Sequence, residues 1–80
     1  MSKKLVLISK PGCHLCDDAR EIILEVLKDF PDVSFEEKNM LDDQKLIDAY
    51  SDEIPVVLID GKQHSFWRVD SHRLREALSR

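Results

Sequence analysis

Two cysteines separated by two residues, Cys13-His14-Leu15-Cys16, are the part of this sequence best suited to chemistry. Residues three apart on a helical turn bring their Cβ atoms to about 5–6 Å. A small adjustment from there reaches disulfide geometry, with a Cα separation of about 4.4–6.8 Å. Such a pair can close and reopen without moving the fold. Random placement would give this spacing in roughly 2% of cases, so the placement of the pair carries more weight than the spacing. The cysteines follow an apolar run, Leu5-Val6-Leu7-Ile8, that ends in Ser9-Lys10-Pro11-Gly12, and they open a helical pattern. A sulfur at a helix start meets unpaired N–H groups and the positive end of the helix dipole, which favour thiolate over thiol. Lys10 and a protonated His14 would add to this, whereas Asp17 and Asp18 oppose it. Cys13 comes first and is expected to be the more exposed, which makes it the candidate nucleophile. Cys16, one turn in, is the candidate resolving thiol. The chemistry that suits this arrangement is thiol–disulfide exchange.

The elements that must position the pair are legible from periodicity. Leu5-Val6-Leu7-Ile8 suits a central strand covered on both faces. Ala19, Ile22, Ile23, Val26, Leu27 and Phe30 draw one apolar stripe along a helix. Asp17 and Asp18 favour its first turn, and Pro31-Asp32 stops it. Residues 33–38 alternate through Phe35 as a short strand near a sheet edge. Asp42 is the expected cap of a second, shorter helix with Leu46, Ile47 and Tyr50 inward. Ile54-Pro55 then precedes a second fully apolar strand, Val56-Val57-Leu58-Ile59. Asp60-Gly61 is the strongest hairpin signal, and it returns the chain through residues 62–69. Asp70 caps a last helix carrying Leu74, Ala77 and Leu78 inward, with Val69 and Leu74 as its hydrophobic staple. The order is β-α-β-α-β-β-α. A right-handed parallel crossover and a hairpin then give an α/β fold, a mixed four-stranded sheet with helices on both faces.

Composition bounds the rest. Eighty residues suffice for one domain, residues 1–80, with a thin core. The net charge is −4, from 12 basic and 16 acidic residues, and no basic stripe is interleaved with aromatics, so nucleic acid is not an expected partner. The apolar runs are too short for a signal-peptide core or a membrane span, which leads us to expect a cytoplasmic, membrane-free protein. Structural disulfides are rare in that compartment, so the cysteines are expected to be catalytic or metal-binding rather than a staple.

Residues 9–16, the apolar helix after them, and Ile54-Pro55 before a Val-rich strand resemble the glutaredoxins. The match is strongest to small glutaredoxin-like proteins whose Cys-x-x-Cys is followed by acidic residues, and it spans essentially the whole chain. The resemblance implies the thioredoxin/glutaredoxin-like fold. It also implies a cis proline at Pro55 beside the cysteines, with the Ile54 backbone pairing with an extended substrate peptide or glutathione. Lys10 matches a lysine that attracts the glutathione carboxylate; read without the family, it is a solvated loop lysine. The departures are His14-Leu15 where glutaredoxins usually carry Pro-Tyr, and Arg68-Val69-Asp70-Ser71 where many have a Gly-Gly step and acidic residues. Asp70 is therefore a helix cap first and a ligand contact second. His14 either tunes the potential or serves as an exposed spacer. Trp67 reads more readily as core than as a groove wall, and His64 and His72 as surface residues.

The expected activity is that of a glutaredoxin-like thiol–disulfide oxidoreductase using Cys13 and Cys16. Lys10, His14, Ile54, Pro55 and Asp70 are the candidate substrate-binding residues. No bound cofactor is expected, and glutathione or another low-molecular-weight thiol would act as co-substrate. The expected partners of a monomer are a disulfide-containing protein or small thiol, and a thiol or reductase as electron donor. Two other classes stay open. One is a non-catalytic thioredoxin-fold binding module. The other is a metal or iron–sulfur site through Cys13 and Cys16, although a closed zinc site needs four ligands and the chain has no second cysteine pair.

Overall fold

The computed structural model describes residues 3–79; residues 1–2 and 80 of the expected domain span lie outside the described residues. The chain runs β1 (Lys4–Ser9), α1 (His14–Leu27), β2 (Ser34–Asn39), a 3₁₀ turn (Met40–Asp42), α2 (Gln44–Tyr50), β3 (Val56–Ile59), β4 (Lys62–Phe66) and α3 (Ser71–Leu78). The strands form one sheet in the order β2-β1-β3-β4. β1 pairs parallel with β2 and antiparallel with β3, and β3 pairs antiparallel with β4. This is the thioredoxin-type arrangement that the sequence predicts.

β1 is central because its residues are apolar on both faces. Leu5 and Leu7 join Ala19, Ile23 and Val26 of α1 and Leu74 and Leu78 of α3 in one core. Val6 and Ile8 face the other way, into a second core with Met40, Ile54 and Val56, closed by Leu46, Ile47 and Tyr50. Leu5, Leu7, Ile8 and Ile23 have no exposed surface, and each such side chain contributes about 1.5–3 kcal/mol by leaving water. Edge strand β2 instead carries Glu36, Glu37 and Lys38, all exposed, which blunts the open edge against pairing with another chain.

The hairpin signal is realised in detail. Asp60 and Gly61 both take positive φ, 53° and 83°, the pattern of a type I′ turn, whose twist matches the flanking strands. Asp60 also ties the turn to the sheet, its carboxylate accepting the Lys4 N–H at 2.9 Å. Asp70 caps α3 as expected, accepting from His72 and Arg73 N–H. Val69 and Leu74 bury together in the first core, as the staple requires.

β2 runs one residue later than the 33–38 read from alternation, at Ser34–Asn39, and three further boundaries differ from the sequence reading. α1 ends at Leu27, with Phe30 in a following turn. Pro31 pushes the residue before it out of helical geometry, and the chain tightens into i→i+3 bonds such as Phe30 N–H to Leu27 O. Asp43, not Asp42, caps α2, because the chain first completes a 3₁₀ turn over Met40–Asp42. β4 stops at Phe66, since Trp67 takes φ 65° and turns the strand off its ladder.

Two substitutions test this packing by chemical denaturation. Ile23→Ala should cost about 2–5 kcal/mol, because the fully buried site leaves a cavity. Asp70→Ala should cost about 1 kcal/mol through loss of the cap.

Candidate functional site

The loop after β1 sets the site. Gly12, at φ 75°, supplies the left-handed residue that turns the chain from the strand into α1, a conformation glycine adopts without a Cβ penalty. Cys13 follows as the N-cap of α1, in extended geometry, and its Sγ accepts the Cys16 N–H at 3.2 Å. Its carbonyl accepts the Asp17 N–H, also at 3.2 Å. The sulfur thus stands where a capping oxygen usually does and satisfies one of the helix's unpaired donors.

The two thiols have different surroundings. Cys13 is partly exposed, whereas Cys16 is fully buried, packed in the second core with Ile8, Met40, Ile54 and Val56. Burial pushes the Cys16 thiol up to about 12, and the Cys13 side chain beside it acts in the same direction. The Lys10 backbone amide works against this shift and is outweighed. Cys16 is therefore the member of the pair that keeps its proton.

The other predicted site residues divide clearly. The Ile54–Pro55 peptide is cis. Ile54 lies in the core that holds Cys16, and Cys13 packs against that same core, so the cysteines and the proline turn are brought together. Lys10 is exposed on the loop before Cys13, and His14 is the exposed first residue of α1. Asp70 stands at the α3 cap with Oδ1 engaged by two N–H groups.

Other features had no clear signal in the sequence. Trp67 is 53% exposed rather than core. Its N–H donates to Pro55 O at 2.9 Å and also lies 3.2 Å from Glu53 O. Its indole N–H donates to Asp52 O at 2.7 Å. The aromatic therefore clasps the segment leading into the cis proline. His64 is half-buried, and burial followed by the charge of Arg73 lowers its pKa.

A polar network lies under the β1–α1 loop. Ser9 Oγ donates to Glu37 at 2.7 Å, and Arg20 engages both oxygens of Glu37 and also Asp17. The Arg20 guanidinium, helped by the Ser9 hydroxyl, holds the Glu37 carboxyl below its usual range. These side chains, with Lys10 and Asn39, border an open cavity of about 360 Å³. Among the described residues, no group of three or more His, Cys, Asp and Glu side chains is arranged to hold a metal. No described helix is long and apolar enough to cross a membrane.

Two pH effects follow. A thiol whose pKa is raised stays protonated until the pH approaches it. In the native Cys13→Ser protein the burial that raises the Cys16 pKa remains, so Cys16 should resist alkylation near neutral pH and react readily only at strongly alkaline pH or once denaturant is added. Peptide mass mapping checks this; equal rates in the native and unfolded protein would contradict it. Glu37 has its pKa lowered, so its pairing stabilises the fold above the usual value of 4.5 and is lost as the pH falls through the lowered value. Glu37→Gln should flatten that part of the acid unfolding curve.

Comparison with known proteins agrees with this geometry. Residues 4–79 match the family model described as Glutaredoxin-like domain (DUF836). An uncharacterized protein of Mycobacterium tuberculosis is 32% identical over 78 residues, covering 92% of this chain and 80% of that protein. A glutaredoxin-like protein of Dictyostelium discoideum is 30% identical over 74 residues, covering 82% of this chain and 66% of that protein. Among solved structures, a Nitrosomonas europaea protein superposes with TM-score 0.76 at 28% identity, covering 95% of this chain and 91% of that one. An X. campestris protein gives 0.74 at 32% identity, covering 94% and 91%. Chloroplastic thioredoxin z, at 11% identity, shares the fold with TM-score 0.79, over 98% of this chain and 76% of its own. With the family model matched across nearly every residue and the cysteine pair at the helix start, this chain belongs to the glutaredoxin-like (DUF836) family of the thioredoxin fold.

Proposed function

We propose that this chain is a dithiol thiol–disulfide oxidoreductase, with Cys13 as nucleophile and Cys16 as resolving thiol. The observation that carries the reading is the asymmetry of the pair: a partly exposed sulfur capping α1, beside a fully buried thiol that holds its proton.

The reaction begins when the Cys13 thiolate, its charge met by the Cys16 N–H, attacks one sulfur of a substrate disulfide. The substrate S–S bond breaks, a Cys13–substrate mixed disulfide forms, and the departing thiolate takes up a proton. Cys16 then loses its proton and attacks Cys13 Sγ. The second substrate thiol leaves, and the Cys13–Cys16 disulfide carries the two electrons' worth of oxidation. Once Cys13 is in the mixed disulfide, the contribution of its side chain to the raised Cys16 pKa is gone, while burial remains. The second step therefore depends on base. Ile54 and Pro55 would hold the substrate backbone, with Lys10 and His14 at the rim and Asp70 mainly a cap. No bound cofactor enters the scheme. An external thiol, glutathione among the candidates, or a reductase would reset the pair in the cytosol.

Redox titration against glutathione buffers, read by thiol trapping and mass, tests this directly. The Cys13–Cys16 disulfide should form and reopen reversibly, each tenfold step in the equilibrium corresponding to about 30 mV. Glutathionylated Cys13 that accumulates without resolving would overturn the dithiol mechanism. Cys13→Ser should abolish turnover, and Cys16→Ser should trap mixed disulfides that the wild type clears faster as pH rises. Equal partial losses in the two variants would contradict the roles assigned.

A further inference from the structure

Exposed apolar side chains are unevenly distributed over this molecule. Among the described residues, the exposed large hydrophobics are Leu15, Leu24, Leu41, Phe66 and Trp67. The strand registers place four of them at one end of the sheet. Ser9, the last residue of β1, stands opposite Asn39, two residues before Leu41. Ile8 stands opposite Val56, and Val56 opposite Phe66. Trp67 bonds through its backbone to Pro55, and Leu15 lies between the cysteines. Of these five, only Leu24, in the last turn of α1, falls outside this end. Exposed apolar surface is thus gathered at the end of the sheet from which β1 leads through Cys13 into α1.

Trp67 is the most informative member. Its φ of 65° is a left-handed backbone conformation, unfavourable for a bulky aromatic and accessible at no such cost to glycine. Yet about half of the residue's surface stays exposed. Phe66, 44% exposed, meets it edge to face with centroids 5.1 Å apart. The indole N–H to Asp52 O bond fixes the ring along the segment that enters the cis proline. A residue held at conformational cost, tied to the cis-proline segment and half open to solvent, is arranged for contact with something outside the chain.

We propose that Trp67, with Phe66, selects the substrate of the Cys13–Cys16 pair, favouring polypeptide disulfides whose cysteines are flanked by apolar or aromatic side chains over small hydrophilic disulfides. This rests on the oxidoreductase reading above. In the selected reaction the dithiol gives two electrons and two protons to the peptide disulfide. One Cys13–Cys16 bond forms, one peptide S–S bond breaks, and two peptide thiols leave.

The test is a single-turnover measurement, in which the reduced protein is mixed with either of two disulfide-linked peptides. One has Leu or Phe beside each cysteine, the other Ser or Gly; oxidation of the protein is followed by acid quench and mass. Wild type should oxidise faster with the apolar peptide, on the order of tenfold. Trp67→Gly, which suits the backbone conformation, should bring that ratio close to one by slowing the apolar peptide far more than the hydrophilic one. Trp67→Phe, which loses the indole bond but keeps an aromatic ring, should retain most of the preference. Four results would overturn the proposal: no preference in wild type, a preference kept by Trp67→Gly, equal slowing with both peptides, or loss in Trp67→Phe as complete as in Trp67→Gly. A wild-type protein that oxidises with neither peptide overturns the oxidoreductase reading as well, so the two failures are told apart.

Discussion

The site turns on one contact, the Cys16 N–H directed at Cys13 Sγ. It closes the first turn of α1, and in doing so it fixes where the second cysteine lies relative to the first. Ser, Thr, Asp and Asn are the residues that cap best, and replacing one by a non-capping residue costs about 1 kcal/mol. A sulfur is a weaker acceptor than their oxygens. The helix therefore starts on a poorer cap, and what it gains is a sulfur, the proposed nucleophile, in the cap position with a donor already aimed at it. The cost is bearable because α1 is held mainly by burial: Ala19, Ile23 and Val26 lock it to β1 and β3 whatever the quality of its first turn.

That division between packing and chemistry explains what the sequence made legible. The strands and α1 are written in long apolar runs and a 3.6-residue stripe, and the structure follows them element for element. The Asp60-Gly61 turn and the Asp70 cap were equally clear, because each rests on local backbone chemistry that the residue type nearly dictates. The cysteine pair was legible for the same reason. The misplaced features depend on tertiary context. Asp42 and Asp43 are equally good caps, and only the 3₁₀ turn that packs Met40 decides between them. Trp67 reads as core because aromatics on strands usually are; nothing local announces a positive φ at a bulky residue. The Ser9–Glu37–Arg20 network joins residues 28 and 17 positions apart, beyond the reach of any periodicity.

Burial of Cys16 has two consequences that pull in opposite directions. Surrounded by Ile8, Met40, Ile54 and Val56, the thiol holds its proton and is shielded from reagents that would consume it. The same surroundings make it a reluctant nucleophile in the second step, where it must become a thiolate. Proximity offsets part of this, because an attacking sulfur one turn away needs no diffusion and little reorientation. In the proposed exchange the pair therefore divides the labour by environment rather than by residue type, with one sulfur partly exposed and the other buried.

The rim shows the reverse of that economy. Trp67 combines an unfavourable backbone conformation with a half-exposed side chain. Left-handed geometry at such a residue costs about 1–3 kcal/mol. Its N–H bond to Pro55 and indole bond to Asp52 return some of this, since a typical hydrogen bond nets about 0.5–1.5 kcal/mol. A glycine in its place would keep the backbone bond and avoid the strain. Such a glycine would give up the indole bond to Asp52 and the edge-to-face contact with Phe66. The exposed half of the side chain is the part that the proposed selectivity uses, and the indole is bonded to the chain segment that enters the cis proline. In the proposed reading the cysteines carry the exchange, and the aromatic pair at the same end of the sheet chooses the disulfides on which it occurs.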